Sequence, residues 1–545
     1  MLLFVAVCCS IPAQAETPVA SMVVSAQAKA TQAGLDVLKA GGNAFDAAAA
    51  VALTLGVVEP GSSGLGGGGF FLLYIAKEKR YVMLDARETS PQLAGHGELY
   101  QTRSSIDGPQ AAGVPGMAAA VDHLIQRYGR LERQRITQPA IALALHGFAV
   151  TDRLQGMLNW RGEALNDAAQ RIFLHQSVIK QPALAETLMR FAKAGADDFY
   201  RGETAGRLVA DMQRDGGLIR AADLAAYRVI ERTPVLFDYQ GFHIISAALP
   251  SSGGLTLAHV FGQLQGDDLK KLNPVDRIHL LIESMKRAYR DRNQYLGDGD
   301  FVPLASDYLD PKRLMRLRAS IDMQQAIPSR RLKGLAEPAG NGVDTTHFSI
   351  VDAAGNMVSA TLSINYPFGS GYVSPATGLL LNDEMDDFAT QAGKPNAYGL
   401  VQGKANAVAP GKRMLSSMTP TFIIGPKRSF IVGTPGGSRI ISMVLLSSLA
   451  FMLDEKEAAD WVNTGRYHHQ FLPDVVQYEA GAFSTDVVDE LTKRGHHLKQ
   501  LSRQYGNMQA ILWQRDHGKL TGISDHRGEG SFGVLLNGNE HGGAR

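Results

Sequence analysis

Asp344-Thr345-Thr346-His347-Phe348-Ser349-Ile350-Val351-Asp352, continued by Ala353-Ala354-Gly355-Asn356-Met357-Val358-Ser359-Ala360-Thr361-Leu362-Ser363-Ile364-Asn365, is the stretch on which the reading of this chain turns. Phe348, Ile350, Val358, Ala360, Leu362 and Ile364 alternate with Ser349, Ser359, Thr361 and Ser363. That two-residue period belongs to β-strands with two unlike faces. Ala354-Gly355-Asn356 is turn chemistry, so the stretch reads as a hairpin. With the turn centred on Ala354-Gly355, residue 345 falls opposite about residue 364, and Ser363 and Asn365 flank it; a one-residue slip would exchange the faces. A Thr hydroxyl is a weak nucleophile and needs a base. A cut between Asp344 and Thr345 would supply one, because the new α-amine, with a free-group pKa of about 8, would sit on the nucleophile's own residue.

Outward from the hairpin, residues 326–344 are polar and rich in Gly and Pro, the composition of an exposed linker. Further upstream, residues 21–58 read as helical and Ala-rich, Gly64–Gly69 is a glycine run, and Phe70–Tyr74 is a strand. Residues 110–230 are mainly helical in pattern. Asn273 caps a long helix with Pro274 in its first turn, and Ile278, Leu281, Ile282, Met285 and Tyr289 form its apolar face. Downstream, strands are predicted at 378–382, 420–424 and 429–433, and helices at 440–453 and 456–465. Mixed strands and helices with no internal repeat predict a layered α/β protein.

Composition limits the function. Lys and Arg number 54 against 53 Asp and Glu, a net charge of +1, which excludes a global basic footprint for nucleic acid. Residues 1–15 read as a secretory signal, an apolar run ending in Ala13-Gln14-Ala15, although no Lys or Arg precedes the run. Both cysteines, Cys8 and Cys9, fall inside it, so the mature protein would have no disulfide, thiol nucleophile or Cys-ligated metal. No later apolar run reaches the ~18 residues that span a bilayer; Ala47–Val58 and Ile440–Leu453 read as buried helices. The glycine run lacks a Gly-Lys-Ser/Thr ending and precedes a strand, against a phosphate loop. His468-His469 and His496-His497 lack a third ligand and read as solvated or helix-packed. Asp298-Gly299-Asp300 has no calcium-loop continuation.

Asp344–Asp352 resembles the processing site of the gamma-glutamyltransferases, N-terminal-nucleophile hydrolases made as single precursors. Further stretches match in order: Gly64–Phe70, Asp85-Ala86-Arg87-Glu88, Val114-Pro115-Gly116, Pro250–Gly254, Glu283–Tyr289, Asn382–Phe388, Leu415–Pro420 and Thr434–Arg439. The resemblance runs from about residue 20 to the C-terminus. It implies a four-layer αββα fold of the α+β kind and autocleavage into a large subunit, 16–344, and a small one, 345–545, that stay associated as one heterodimeric unit. The implied reaction moves the γ-glutamyl group of glutathione to amino acids, peptides or water through a γ-glutamyl-threonine intermediate. No metal or organic cofactor, nucleic acid or membrane span is implied, and the location would be periplasmic or secreted.

The resemblance also assigns residues. Thr345 would be the nucleophile, Ser363 the hydroxyl assisting it where the family commonly has Thr, and Gly436 and Gly437 the backbone donors of the oxyanion hole. The γ-glutamyl α-carboxylate would meet Arg87, whose planar fork binds two oxygens, with Ser416 and Ser417. The α-ammonium would meet Asn365, Glu384 and Asp387. Residues 392–403 resemble a lid with Tyr398 as its gate. A glutaryl or cephalosporin acylase, a poly-γ-glutamate depolymerase and an uncleaved binder of γ-glutamyl peptides remain as alternatives. Retention of the ammonium group disfavours the first, the lid disfavours the second, and the intact nucleophile and oxyanion hole disfavour the third.

Overall fold

The computed structural model describes residues 17–332, 345–390, 396, 399–453 and 457–536, and the backbone of 539–541. The expected signal segment 1–15, residues 333–344 of the expected linker and Tyr398 lie outside the described residues.

Two antiparallel sheets lie face to face. The larger has eight strands, in the order Asn539–His541, Ser531–Leu536, Ala20–Ser25, Thr346–Val351, Met357–Ser363, Gly68–Ile75, Arg80–Asp85 and Ile230–Arg232. The smaller has six: Lys519–Ser524, Gln509–Gln514, Arg428–Gly433, Thr421–Ile424, Phe242–Ser246 and Val235–Tyr239. Each sheet takes strands from both sides of residue 345. Helices Ala28–Lys39, Ala44–Val58, Arg133–His146 and Pro182–Ala194 share one core with the outer face of the larger sheet. Gly253–Gln263, Pro274–Tyr295 and Ile440–Leu453 share the other core with the smaller sheet. The arrangement is α+β, helix on sheet on sheet on helix, as expected.

The hairpin's alternation has a specific cause. Phe348, Ile350, Val358, Ala360 and Leu362 enter the helix-side core. The polar set is equally buried, because it faces the second sheet. Ser349 Oγ donates to Gln509 O at 3.1 Å, Ser359 Oγ to Val432 O at 3.1 Å, and His347 Nδ1 meets Thr361 Oγ1 at 2.9 Å. Hydroxyls thus stitch the sheets together where a purely apolar layer would leave slip unpenalised.

Several expectations need correcting. The segment 21–58 opens with the strand Ala20–Ser25 before its two helices. This short, fully buried strand pairs on both sides, a context that overrides propensity. Residues 378–382 form no strand; a lone bridge joins Val373 to Leu380. The hairpin register is shifted by one. Thr346 pairs with Leu362, so the next pair brings Thr345 opposite Ser363. The turn holds three residues, with Asp352 Oδ1 accepting from Ala354 N and Asn356 N and Gly355 at φ 84°. An odd loop moves the register by one relative to a two-residue turn.

The long helix is capped where the sequence placed its start. Asn273 caps Pro274–Tyr295, accepting from Asp276 N at 2.9 Å. Asn43 and Asp46 form a capping box on the buried helix Ala44–Val58. His468, His469 and His496 are buried rather than solvated, bonded to Ser442 and Gln470, to Asp474, and to His279. Burial holds His468 down at about 3 and His496 at about 2, so both stay neutral. No group of three or more His, Cys, Asp or Glu fit for a metal occurs among the described residues. No helix among them is long and apolar enough to cross a membrane.

Candidate active site

Thr345 stands at the end of its strand, 3% exposed, in a cavity of about 20 Å³, roughly the space of one water. Ser363, Arg87, Asn365, Asp387, Ser416, Ser417 and Gly437 line the same cavity. Residues 345, 347 and 349 share a strand face, so the Thr345 side chain belongs to the layer between the sheets. Ser363 Oγ accepts from Asn365 N at 2.7 Å and keeps its own proton to donate.

The glycine run explains how the nucleophile strand is approached. A Cβ on Gly67 would stand 2.2 Å from Ser363 O, and one on Gly66 2.0 Å from Leu380 O. The run is a close backbone crossing rather than a phosphate cradle.

The second sheet supplies the opposite wall. Strand Arg428–Gly433 passes His347, whose ring fills the space a Cβ on Gly433 would take, 2.2 Å away. Three residues further, Gly436 and Gly437 turn at φ 143° and 57°, backbone that favours glycine. The turn leads through Gly437–Arg439 into helix Ile440–Leu453. Free N–H groups and the positive end of the helix dipole are therefore collected at the Thr345 end of the sandwich.

Arg87, in the loop after strand Arg80–Asp85, is 1% exposed. Asp85 Oδ1 accepts from Arg87 N at 2.9 Å and Met414 O accepts from Arg87 Nε at 3.2 Å. Its guanidinium pairs directly with Glu384 and Asp387, and Glu88 lies 3.5 Å away. Burial works against the Arg87 charge, but Glu384, Asp387 and Glu88 outweigh it and raise its pKa. Burial is also the main cause that lifts Glu88 to about 7 and Glu384 well above the carboxylate range, against the pull of Arg87. Neither Glu88 oxygen has a hydrogen-bond partner among the described residues. Three buried carboxylates crowd the Arg87 guanidinium, so above the raised pKa values of Glu88 and Glu384 this group carries more negative than positive charge.

The remaining expected residues gather around this cluster. Asn365, held at φ 74°, donates through Nδ2 to Asp383 O at 3.1 Å. Asp387 accepts from Asn396 Nδ2 at 3.1 Å, and its carbonyl from Gln402 and Asn406. Ser416 Oγ accepts from Met418 N at 3.1 Å. Ser417 Oγ accepts from Arg292 Nη2 at 2.9 Å. Leu400, in the described part of the expected lid, is buried and lines the cavity.

Glu88, Asp383 and Arg292 were not anticipated as site residues. Arg292 is buried, bonded to Ser252 Oγ and Asn293 Oδ1 besides Ser417, and has no ion pair among the described residues. Burial lowers its pKa. A signal existed: Met285, Tyr289 and Arg292 share one helix face, and a charge that continues an apolar stripe calls for a partner.

The chain is similar to known proteins over nearly its whole length. The sequence matches the family model for Gamma-glutamyltranspeptidase over residues 30–535. It is 39% identical to a glutathione hydrolase proenzyme of Escherichia coli, over 93% of this chain and 90% of that one. It is 42% identical to one of Pseudomonas aeruginosa, over 91% of each. Among solved structures, a cephalosporin acylase from Bacillus halodurans superposes with a TM-score of 0.83 at 26% identity, covering 98% of this chain and 99% of that one. Helicobacter pylori gamma-glutamyltranspeptidase gives 0.55 at 32% identity, covering 60% of this chain and 97% of that one. By sequence match over nearly its whole length and by fold, the chain belongs to the gamma-glutamyltranspeptidase family.

Proposed function

We propose that this chain is the precursor of a glutathione hydrolase and gamma-glutamyltransferase that cleaves itself between Asp344 and Thr345. The observation that carries the reading is the meeting of Thr345 and Ser363 with Arg87, Asp387, Ser416, Ser417 and Gly437 around one cavity. Thr345 Oγ attacks the γ-carbonyl of the donor and passes its proton to its own α-amine. The carbonyl oxygen takes up negative charge against the N–H groups of Gly436 and Gly437. The C–N bond breaks, and the departing amine receives the proton. Water or an acceptor amine then attacks the Thr345 ester, the bond to Oγ breaks, and Oγ regains a proton.

The donor's α-carboxylate and α-ammonium share one carbon, so their partners must be adjacent. Arg87 touching Glu384 and Asp387 meets that condition. Ser416, Ser417 and Arg87 take the carboxylate; Asn365, Glu384 and Asp387 take the ammonium. A glutaryl or cephalosporin acylase needs no ammonium site, and three buried carboxylates around one Arg disfavour that branch. The relatives at 39% and 42% identity are named glutathione hydrolases, whereas the acylase is 26% identical. Residues 392–403 act as the lid, and the exported enzyme loses residues 1–15.

The test is a denaturing gel with N-terminal sequencing. The wild type should give two bands, the smaller beginning at Thr345. Thr345→Ala should remain one chain; two bands split at the same bond in that variant would refute the proposal.

A further inference from the structure

Arg292, in the last turn of helix Pro274–Tyr295, is a second cation lining the Thr345 cavity. It is 1% exposed. Every hydrogen-bond partner of its side chain among the described residues is neutral. Nε donates to Ser252 Oγ, Nη1 to Asn293 Oδ1 and Nη2 to Ser417 Oγ, each at 2.9 Å. A buried charge held by neutral groups alone is costly. A neutral side chain could tie the same loops together without that cost, whereas an anion arriving in the cavity relieves it.

The bonds around Arg292 have a fixed direction, because a guanidinium only donates. Ser417 Oγ must accept from it, which leaves the Ser417 hydrogen to point elsewhere. Ser252 Oγ accepts from Arg292 Nε and donates to Ser416 O at 2.6 Å. One side chain therefore holds Ser417 directly and Ser416 through a single hydroxyl. Ser416 N donates to Pro250 O at 2.9 Å, and Ser416 Oγ accepts from Met418 N at 3.1 Å. Both hydroxyls accept from behind and keep their hydrogens for an acceptor in the cavity. Arg87 meets such an acceptor with its own charge already balanced by Glu384 and Asp387, and with Nε given to Met414 O.

We propose that Arg292 is a positioning residue for the donor's α-carboxylate: it fixes Ser416 and Ser417 as hydrogen-bond donors and supplies the unbalanced positive charge behind them. The cavity then has two poles. Carboxylates around Arg87 face the ammonium, and Arg292 behind the two serines faces the carboxylate, a match for a zwitterion. The inference rests on the γ-glutamyl reading above and adds a specificity-determining residue to it. Arg292 touches no reacting atom, and no bond is made or broken at it; it acts through Ser417 and Ser416.

The experiment compares γ-glutamyl-p-nitroanilide with 4-aminobutyryl-p-nitroanilide, which keeps the scissile amide and the ammonium but has no α-carboxylate. Wild type, Arg292→Gln and Arg292→Lys are assayed after a gel has established that each is fully processed. Arg292→Gln should lower kcat/KM for the γ-glutamyl compound by roughly tenfold or more, the size of a lost charge-assisted contact. The slow 4-aminobutyryl rate should stay nearly unchanged. Arg292→Lys, which keeps the charge without the fork, should fall between. In a Ser417→Ala background the Arg292→Gln change should cost far less, because two residues acting through one hydroxyl are not additive. An equal fall on both substrates in Arg292→Gln would leave Arg292 a purely structural part and overturn the inference, as would full additivity with Ser417→Ala. Where Arg292→Gln does not fold, Arg292→Lys carries the same comparison: a loss confined to the γ-glutamyl compound supports the inference, and an equal loss on both overturns it. These outcomes leave the γ-glutamyl reading standing. Failure of the wild type to release nitroaniline from the γ-glutamyl compound would sink that reading and this inference with it.

Discussion

Asp387→Asn offers the most direct test of the buried charge cluster. Asp387, Glu384 and Glu88 surround the single guanidinium of Arg87, and a γ-glutamyl substrate would bring a further cation. Opposite charges at contact attract by about 4 kcal/mol at the effective dielectric of such a site. Part of this is lost in drying the ammonium, leaving about 2–3 kcal/mol for a hydrogen-bonded charged group. That corresponds to roughly 10²-fold in kcat/KM. Glutaryl-p-nitroanilide has the same scissile amide and distal carboxylate as γ-glutamyl-p-nitroanilide but no ammonium. The wild type should therefore prefer the γ-glutamyl compound by roughly 10²-fold or more. Asp387→Asn should lower the γ-glutamyl rate by about the same factor and leave the slow glutaryl rate nearly unchanged. The assay is chromophore release from both anilides by both enzymes, after a gel has established that each is fully processed. Equal turnover of the two substrates by the wild type, or an equal fall of both in Asp387→Asn, would refute the assignment of the cluster to the ammonium.

Three further outcomes follow from the same geometry. Arg87→Lys should process normally yet lose about 2 kcal/mol or more of transition-state binding for the γ-glutamyl anilide; a block in cleavage or wild-type kinetics would contradict the role given to its fork. Gly436→Ala places a Cβ 2.4 Å from Met443 Cε at φ 143°, so its kcat should fall by roughly 10²–10³-fold, as for a lost oxyanion donor, and a near-normal kcat would remove Gly436 from the hole. The acid limb of kcat/KM should lie near pH 7: burial lifts Glu88 to about 7 and Glu384 above the carboxylate range, so both are neutral below their raised pKa values and attract the ammonium only above them. A pH profile flat down to pH 5 would show that these groups do not meet the substrate.

The hairpin's existence was written in its period of two, because each face is buried against something different and the residue types had to alternate. The cap at Asn273 was equally legible, since an N-cap acts on backbone within its own first turn. The linear order of the motifs and the chemical type of each site residue could also be read locally. Register could not, because it depended on whether the turn held two residues or three, and that was decided by Asp352 accepting from Ala354 N and Asn356 N. The strand at Ala20–Ser25 was hidden for a related reason: its neighbours in the sheet are Thr346–Val351 and Ser531–Leu536, more than 300 residues away in sequence. The charge balance of the site belongs wholly to tertiary structure. Arg87, Glu88, Glu384, Asp387 and Arg292 come from three distant segments, and a carboxylate's pKa answers to burial and to charges within a few ångströms, neither of which a sequence position carries. The sequence by itself determined which groups could do chemistry; only the fold decided that three carboxylates would share one guanidinium beside Thr345.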